Sequence, residues 1–545
     1  MEIEQVQAKD RLPDYVPEIP DRHPSLFQTF PFLLNAALAA VGAIVGMHLI
    51  TTLGISTNTS ILGALVAIAI ARVPLAAILP FKSVQQQNLI QSTISSATFG
   101  AANCLLIPIG IPFLMGRPEL VTPMLIGAAI GMFFGTTMLY LQFDSRTFPA
   151  KGIWPPGIAT AEAIIAGDRG GRRALVLLGG TVLGALGAYF RIPMSAFGVG
   201  FIGNIWALSM FGIGLLIRGY SVPVAGINVM QHYLPHGMMV GAGLIAMVQV
   251  AMILVQGKRS RPGQPGQTDE EYTVSERQLG RSFGYGYGVF VVGAIVMAIL
   301  AGLVAEMPAA QFIGWVIFAG AAAIIGQQLV GLAAMHSGWF PAFAVALIFL
   351  VLSILMGFPP LASAFLVGYV ASVSPAFADT GYDFKAGWIL RGQGKNRKFE
   401  LEGRREQFRA EMLGLVVALV MVILFWRGYF EQDLLPPVVR VYVATIAAGI
   451  DPGVLRNIML WAIPGAVLQA VGGPARQMGI LLATGLLIPS PLGGWAVLAA
   501  IAIRLIATRL YGAAAQSYLN IFGAGTIAGD ALFGFFNAIV RVRLR

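Results

Sequence analysis

Apolar residues run along this chain in blocks of about 20, the length that crosses the hydrocarbon of a bilayer, with short polar gaps between them. The blocks 30–51, 120–141 and 283–304 are the plainest, and 412–426 and 494–506 reach that length with their flanks. Taken in order, the pattern predicts helices over 30–51, 56–75, 88–112, 120–141, 174–190, 196–217 and 235–255. After a polar gap it predicts 283–304, 309–332, 340–357, 361–378, 410–427, 435–449, 455–471, 476–489, 491–509 and 519–540. That gives about 16 to 18 spans at the usual length per crossing. Two pieces, 152–167 and 220–232, fit neither a span nor a loop and read as broken or re-entrant segments.

The first of these pieces is the most informative. Trp154-Pro155-Pro156-Gly157-Ile158-Ala159-Thr160-Ala161-Glu162 sets two prolines, a glycine, small residues and a carboxylate among apolar spans. Proline removes a backbone donor and opposes a helix interior. Irregular backbone at membrane depth is tolerated only where protein buries it or where it lines a wet cavity. An intramembrane carboxylate points to function by default, so the segment predicts a transport pathway.

The polar gap 256–280 divides the chain near its middle, which suggests two related halves with interrupted helices at corresponding places. A short echo supports this: Pro156-x-x-Ala159 before Ala166-Gly167, against Pro375-x-x-Ala378 before Ala386-Gly387. The expected organisation is a cytoplasmic tail 1–29, a first transmembrane half 30–255 and a cytoplasmic linker 256–282. A second half 283–540 follows, interrupted by a cytoplasmic loop 391–409, with a basic tail 541–545.

Composition confirms the class. Hydrophobic residues make up 57% of 545 and charged ones 11%, with mean hydropathy +0.76, whereas soluble domains carry about 25% charged residues. A net charge of +10 does not imply nucleic acid, because the basic residues gather in gaps: Lys258 to Arg261, 391–409, and Arg541, Arg543 and Arg545. That is the positive-inside pattern, which places these gaps and the C-terminus in the cytoplasm. Residues 1–24 are polar and of mixed charge, unlike a cleavable signal. The one cysteine, Cys104, rules out an internal disulfide and a cysteine metal cluster. The arginine-, alanine- and glycine-rich usage is consistent with a bacterial source.

Several side chains are candidates for chemistry. Asn88, Gln91 and Ser95 share one helical face, where amides can meet a peptide backbone or simply bond a neighbouring helix. Glu162 is a proton-carrier candidate, with a structural pairing to Lys151 or Arg169 as its alternative; Asp530 has the same small-residue setting. His232 and His236 stand four apart, but Pro235 interrupts that helix and no third ligand clusters with them, so no metal is expected. A substrate-lining or proton-sensing role suits them better. Asp379, Asp383 and Lys385 follow the span 361–378 and read as an interfacial helix terminus. Phosphate-loop, His-Glu-x-x-His and Gly-x-Ser-x-Gly motifs are absent from the sequence, so an ion gradient is the natural energy source.

Four of these elements together resemble the oligopeptide transporter family, which includes the yellow stripe-like metal-chelate transporters. They are Gln85-Gln-Gln-Asn88-Leu-Ile-Gln91-Ser, Trp154-Pro-Pro-Gly157-Ile-Ala-Thr160-Ala-Glu162, Phe377-Ala-Asp379-Thr-Gly-Tyr-Asp383-Phe-Lys385-Ala-Gly387 and Gly523-Ala-Gly525-Thr-Ile-Ala-Gly529-Asp530. The second is similar to the form common among bacterial members. The resemblance implies a proton-coupled importer of short peptides, modified peptides or metal-chelator complexes with about 16 spans. It also raises the structural or gating weight of Asp383 and Lys385. The chain departs from the family at Pro156 and Ile158 and lacks the Asn-Pro-Gly-Pro-Phe element of the fungal and plant peptide branch, so substrate identity does not carry over.

The reading is an all-α polytopic protein of the bacterial cytoplasmic membrane: a secondary symporter, not an enzyme, with no cofactor. Its partners would be a peptide or chelate, protons and lipid, with no nucleic acid and a homodimer as a compatible assembly. Glu162 and Asp530 are the proton-coupling candidates. Asn88, Gln91, Ser95, Gly157, Thr160, His232 and His236 line the substrate site, where half-helix ends at 152–167 and 220–232 would meet a substrate carboxylate. Pro155, Pro156, Asp379, Asp383 and Lys385 are gating or structural candidates. The rival classes are an uncoupled channel or facilitator and, further off, a membrane-embedded lipid-modifying enzyme, for which Asp379 and Asp383 are the nearest acid pair.

Overall fold

The computed structural model describes residues 22–52, 59–71, 81–169, 171–259, 272–338, 341–449, 452–512 and 514–543. Most of the expected tail 1–29, residues 260–271 of the expected linker, parts of the expected span 56–75 and residues 544–545 lie outside them. Of the described residues 85% are helical, and the one β-type contact among them is an isolated bridge between Phe143 and Phe148. Among the described residues nine helices are long and apolar enough to cross a membrane. The fold is all-α and polytopic.

Helices α1 (Thr29–Thr52), α2 (Thr59–Ala71), α3 (Val84–Leu114), α4 (Val121–Gln142) and α5 (Pro155–Arg169) come first. Then follow α6 (Gly171–Tyr189), α7 (Met194–Ile202), α8 (Ile205–Ala225) and α9 (Leu234–Arg259). The second series is α10 (Glu276–Leu300), α11 (Ala309–Ser337), α12 (Ala342–Leu355), α13 (Pro360–Leu390), α14 (Arg397–Phe430) and α15 (Pro437–Ala448). It ends with α16 (Pro452–Arg476), α17 (Met478–Leu487), α18 (Pro491–Tyr511) and α19 (Ala514–Arg543).

The helices pack as two bundles that interleave the chain. One joins α1–α4 to α10–α15; the other joins α6–α9 to α16–α19; α5 touches both, lying on α2 and α13 on one side and α19 on the other. The same packing occurs twice. α6 lies along α19 as α16 lies along α9, and α8 packs on α17 as α18 packs on α7. In the other bundle α3 sits among α1, α2 and α14 as α13 sits among α11, α12 and α4. The two halves therefore pack in the same pattern, but neither half is a packing unit: each supplies part of both bundles.

The repeat also relocates the proline echo. Pro155-Pro156 opens α5 and Pro436-Pro437 precedes and opens α15, and the two helices take corresponding places, whereas Pro375 lies inside α13. Proline at a first helical turn loses no hydrogen bond, since those donors have no intrahelical partner. The Pro-Pro-Gly segment is thus the start of a buried helix and not a break in one.

Outward faces are lipid-like. Leu175, Leu178, Val182 and Leu186 on α6, and Met459, Leu460, Ile463 and Val467 on α16, are exposed at helical spacing. Inward contacts use small residues: a Cβ at Gly184 of α6 or Gly529 of α19 would overlap the partner helix's backbone, the close approach by which membrane helices gain packing energy. Ends are closed locally. Asn204 Oδ1 accepts from the N–H of Trp206 at 3.0 Å and caps α8, and Ser275 and Gln278 form a capping box on α10.

Three expectations change. The predicted span 196–217 is split at Gly203-Asn204 into α7 and α8. The predicted span 361–378 continues to Leu390, so Asp379, Asp383 and Lys385 lie in the buried length of α13 and not at an interfacial terminus. The expected loop 391–409 is a short turn leading into α14, whose first turns bury Glu400, Arg404, Glu406 and Gln407. A charged stretch can be buried this way because its charges pair with each other and with backbone carbonyls.

Candidate transport site

α3 and α13 are the two most deeply buried long helices and correspond to each other in the repeat. Where they approach, one side of α3 is polar over Gln85–Ser96, and Gln91, Ser92, Ser95 and Ser96 each bond a neighbouring helix. Gln91 Nε2 donates to Asp383 Oδ1 at 2.5 Å, and Ser60 Oγ of α2 donates to the same oxygen at 2.6 Å. Ser95 Oγ donates to Asp379 Oδ2 at 3.3 Å and lies 3.1 Å from Ser60 Oγ. Asn88 Nδ2 donates to Gln91 Oε1 at 3.0 Å, which orients the Gln91 amide toward Asp383.

α14 closes the seam. Gln407 Nε2 donates to the Asp383 backbone carbonyl at 2.5 Å and to Ser92 Oγ at 2.9 Å, while its Oε1 accepts from Arg391 Nη1 at 2.9 Å. One turn further on, the Glu411 side chain meets that of Asp383. Glu411 is 1% exposed and Asp383 0%. No donor reaches either Glu411 oxygen or Asp383 Oδ2 among the described residues.

A second network lies at the α13–α14 turn. Arg391 Nε donates to Glu400 Oε2 at 2.8 Å and Arg404 Nη2 to Glu400 Oε1 at 3.0 Å. Arg404 Nη1 also donates to the Phe143 carbonyl at 3.1 Å. Asp144, held at φ 65°, accepts from Ala150 N at 3.2 Å and Thr273 N at 3.0 Å. Lys385 Nζ donates to the Ala150 carbonyl at 2.8 Å and lies 4.5 Å from the Trp388 ring centroid. A cavity of about 360 Å³ opens beside this network, lined by Tyr140, Arg281, Tyr285 and Arg404 among others. The N-terminal segment covers the network from outside. Leu26 N donates to Glu406 Oε2 at 3.0 Å, and His23 stacks obliquely on Phe399 at 5.4 Å between centroids. Burial pushes the His23 imidazole down to about 4, and the nearby Arg391 guanidinium acts in the same direction.

The sequence candidates separate into groups. Asn88, Gln91, Ser95, Asp379 and Asp383 come together in the seam. Gly157 packs beneath it: a Cβ there would strike the Tyr382 carbonyl and the Lys385 stem. Pro155 and Pro156 rest against Gly338. Thr160 is buried in α5 with no hydrogen-bond partner for its Oγ1 among the described residues. Glu162 is wholly buried and pairs with Arg173 Nη1 of α6 at 3.5 Å, a cation the sequence reading had not weighed. Asp530 Oδ2 accepts from Ser195 N at 2.7 Å and so caps the N-terminus of α7.

The histidines do not converge. α9 starts at Leu234, so Pro235 sits in its first turn, His236 is buried against Tyr233, and His232 is exposed in the turn before. Nor do the two irregular segments face a common site, since α5 is buried while residues 222–227 are exposed. Four participants escaped the sequence reading: Glu411, Ser60, Gln407 and Arg391. The available signal for Glu411 was its position, the last acid before α14 turns continuously apolar.

A polar seam enclosed by lipid-facing helices is what a translocation path requires. The family model described as OPT oligopeptide transporter protein matches residues 29–257 and 180–541. The chain belongs to the OPT oligopeptide transporter family. No curated protein sequence matches it. Membership of this transporter family and the membrane-spanning helices make the chain a multi-pass transport protein.

Proposed function

We propose that this OPT-family transporter is a proton-coupled symporter. In this reading it imports short peptides, modified peptides or metal-chelator complexes across the cytoplasmic membrane of a bacterium, with its C-terminus inside. The observation that carries the reading is the seam between α3, α13 and α14. The Gln91 amide and the Ser95 hydroxyl bond buried carboxyls there, and the Asn88 amide donates to Gln91. Amides that both donate and accept suit a peptide backbone. Carboxyls held inside a membrane protein mark proton relays. A proton bound more tightly in one access state than in the other biases the exchange between them.

The basic residues that flank the seam at the α13–α14 turn support the orientation. The test is uptake by proteoliposomes under an imposed pH gradient, with a panel of di- to pentapeptides and iron-chelator complexes. Accumulation above the external level that collapses when a protonophore is added is the expected result. Uptake that is indifferent to the gradient and stops at the external level favours a facilitator and sinks the symport reading.

A further inference from the structure

Asp383 and Glu411 bring two carboxyl groups into contact where neither has a cation among the described residues. Asp383 Oδ1 takes Gln91 and Ser60, but Asp383 Oδ2 and both Glu411 oxygens receive no donor among the described residues. An ionised carboxylate only accepts hydrogen bonds. The side-chain contact between these two acids is therefore acceptor against acceptor unless a proton lies between them. Bare charges so placed, both buried, would carry a desolvation cost with nothing to offset it.

The surroundings leave the proton as the neutralising species. On α13, Asp379 adds a further acid and Tyr382 a phenol, Lys385 is bound to the Ala150 carbonyl, and Arg391 is bound to Glu400, Asn88 and Gln407. On α14, Arg404 is committed to Glu400 and the Phe143 carbonyl. α2, α3 and α12 carry no charged residue, and α4 brings only Tyr140. α5 brings Glu162 with its partner Arg173, and α1, α11 and α15 bring His48, His336 and Arg440.

We propose that the carboxyls of Asp383 and Glu411 share one proton and together form the binding site of the coupling ion, an inference that rests on the symport reading above. With the proton bound, the O–H of one acid donates to the other and ties α13 to α14. When it leaves, the pair carries two like charges and that tie becomes a repulsion, released at the level where α14 passes from its polar to its apolar length. Gln407, bonded to the Asp383 carbonyl and to Ser92, bridges the same contact one turn away. Glu162 and Asp530, each already occupied, are not needed for the coupling ion.

Two measurements on the full chain decide this. Infrared spectra of the detergent-solubilised protein at neutral pH should contain the C=O band of a protonated carboxyl, shifted in D2O and removed in both Glu411→Gln and Asp383→Asn. A spectrum without that band in the wild type, or one that keeps it in both variants, overturns the shared proton. In proteoliposomes, Glu411→Gln should lose gradient-driven accumulation of a di- to pentapeptide mixture while retaining peptide exchange, which certifies its fold, and Glu411→Asp should restore part of the accumulation. Gradient-driven accumulation in Glu411→Gln equal to wild type overturns the assignment while leaving symport intact. Wild-type accumulation that ignores the pH gradient, or follows a sodium gradient instead, overturns the coupling role through the symport reading itself, and the infrared band still reports the pair.

Discussion

Arg391 and Glu400 form an ion pair at 2.8 Å with side-chain exposures of 0% and 1%. Glu400 also holds Arg404, which lies 3.8 Å from Asp144 as well, so two carboxylates serve the two buried guanidinium groups. Breaking a buried pair by deleting one partner leaves an uncompensated charge and costs about 3–5 kcal/mol. Glu400→Gln should lower the thermal unfolding midpoint in detergent clearly, and added salt should not mimic the effect, because screening acts weakly on buried pairs. An unchanged midpoint would show that the pair does not hold the α13–α14 turn.

Gly157 is a packing contact before it is a substrate contact. Its absent Cβ makes room for the Tyr382 carbonyl and the Lys385 stem, and overpacking of this kind costs about 1–3 kcal/mol. Gly157→Ala is expected to lower both stability and uptake. Gly280→Ala on α10, where no atom lies within 4 Å of the new Cβ, should leave both unchanged. Equal effects in the two variants would contradict the account.

Asp530 acts as a helix cap through its bond to Ser195 N. Replacing a capping side chain by Ala costs about 1 kcal/mol, so Asp530→Ala should lose that much stability and Asp530→Asn almost none. The pH dependence of uptake should be the same in both as in wild type. A shift of that pH profile in Asp530→Asn would restore Asp530 as a coupling residue.

His23 docks as a neutral ring, with Nδ1–H directed to the Pro24 carbonyl at 2.9 Å. Its folded value is pushed down to about 4 from the usual 6.5. Between these values the undocked segment takes up a proton and the docked one does not. Docking is therefore fully favourable above 6.5 and weakens as pH falls toward 4. Amide protection over residues 22–28, taken relative to the intrinsic exchange rate at each pH, should fall on acidification through that window, and His23→Gln should remove the pH dependence. Protection that is flat with pH in the wild type would refute this.

The all-α class and most helix positions were legible in the sequence, because blocks of about 20 apolar residues have one interpretation. The polar face of α3 was legible too, since Asn88, Gln91 and Ser95 recur at helical spacing. The extent of α13 was not. Asp379, Asp383 and Lys385 look like an interface in one dimension, and only their partners on α2, α3 and the loop before α5 let them be buried. Glu411 was hidden because it stands at the start of the predicted span 410–427, directly after a charged run that resembles a solvated loop. Pro155-Pro156 misled in the opposite direction, because prolines that stop a helix and prolines that start one look alike until the chain on each side is placed. The interleaving of the halves could not be read locally at all, because it depends on contacts such as α6 with α19, whose residues lie hundreds of positions apart.

The one cysteine of the chain, Cys104, lies in the π-helical stretch Gly100–Leu106 of α3, wholly enclosed and close to Asp379 and the Ala376 backbone. π-helical turns loosen the regular bonding of a helix and often mark functional sites. The protein thus carries a built-in chemical probe. A thiol reagent added to the native chain has a single possible target, and the rate of its attack measures how often α3 parts from α13 without any engineered label.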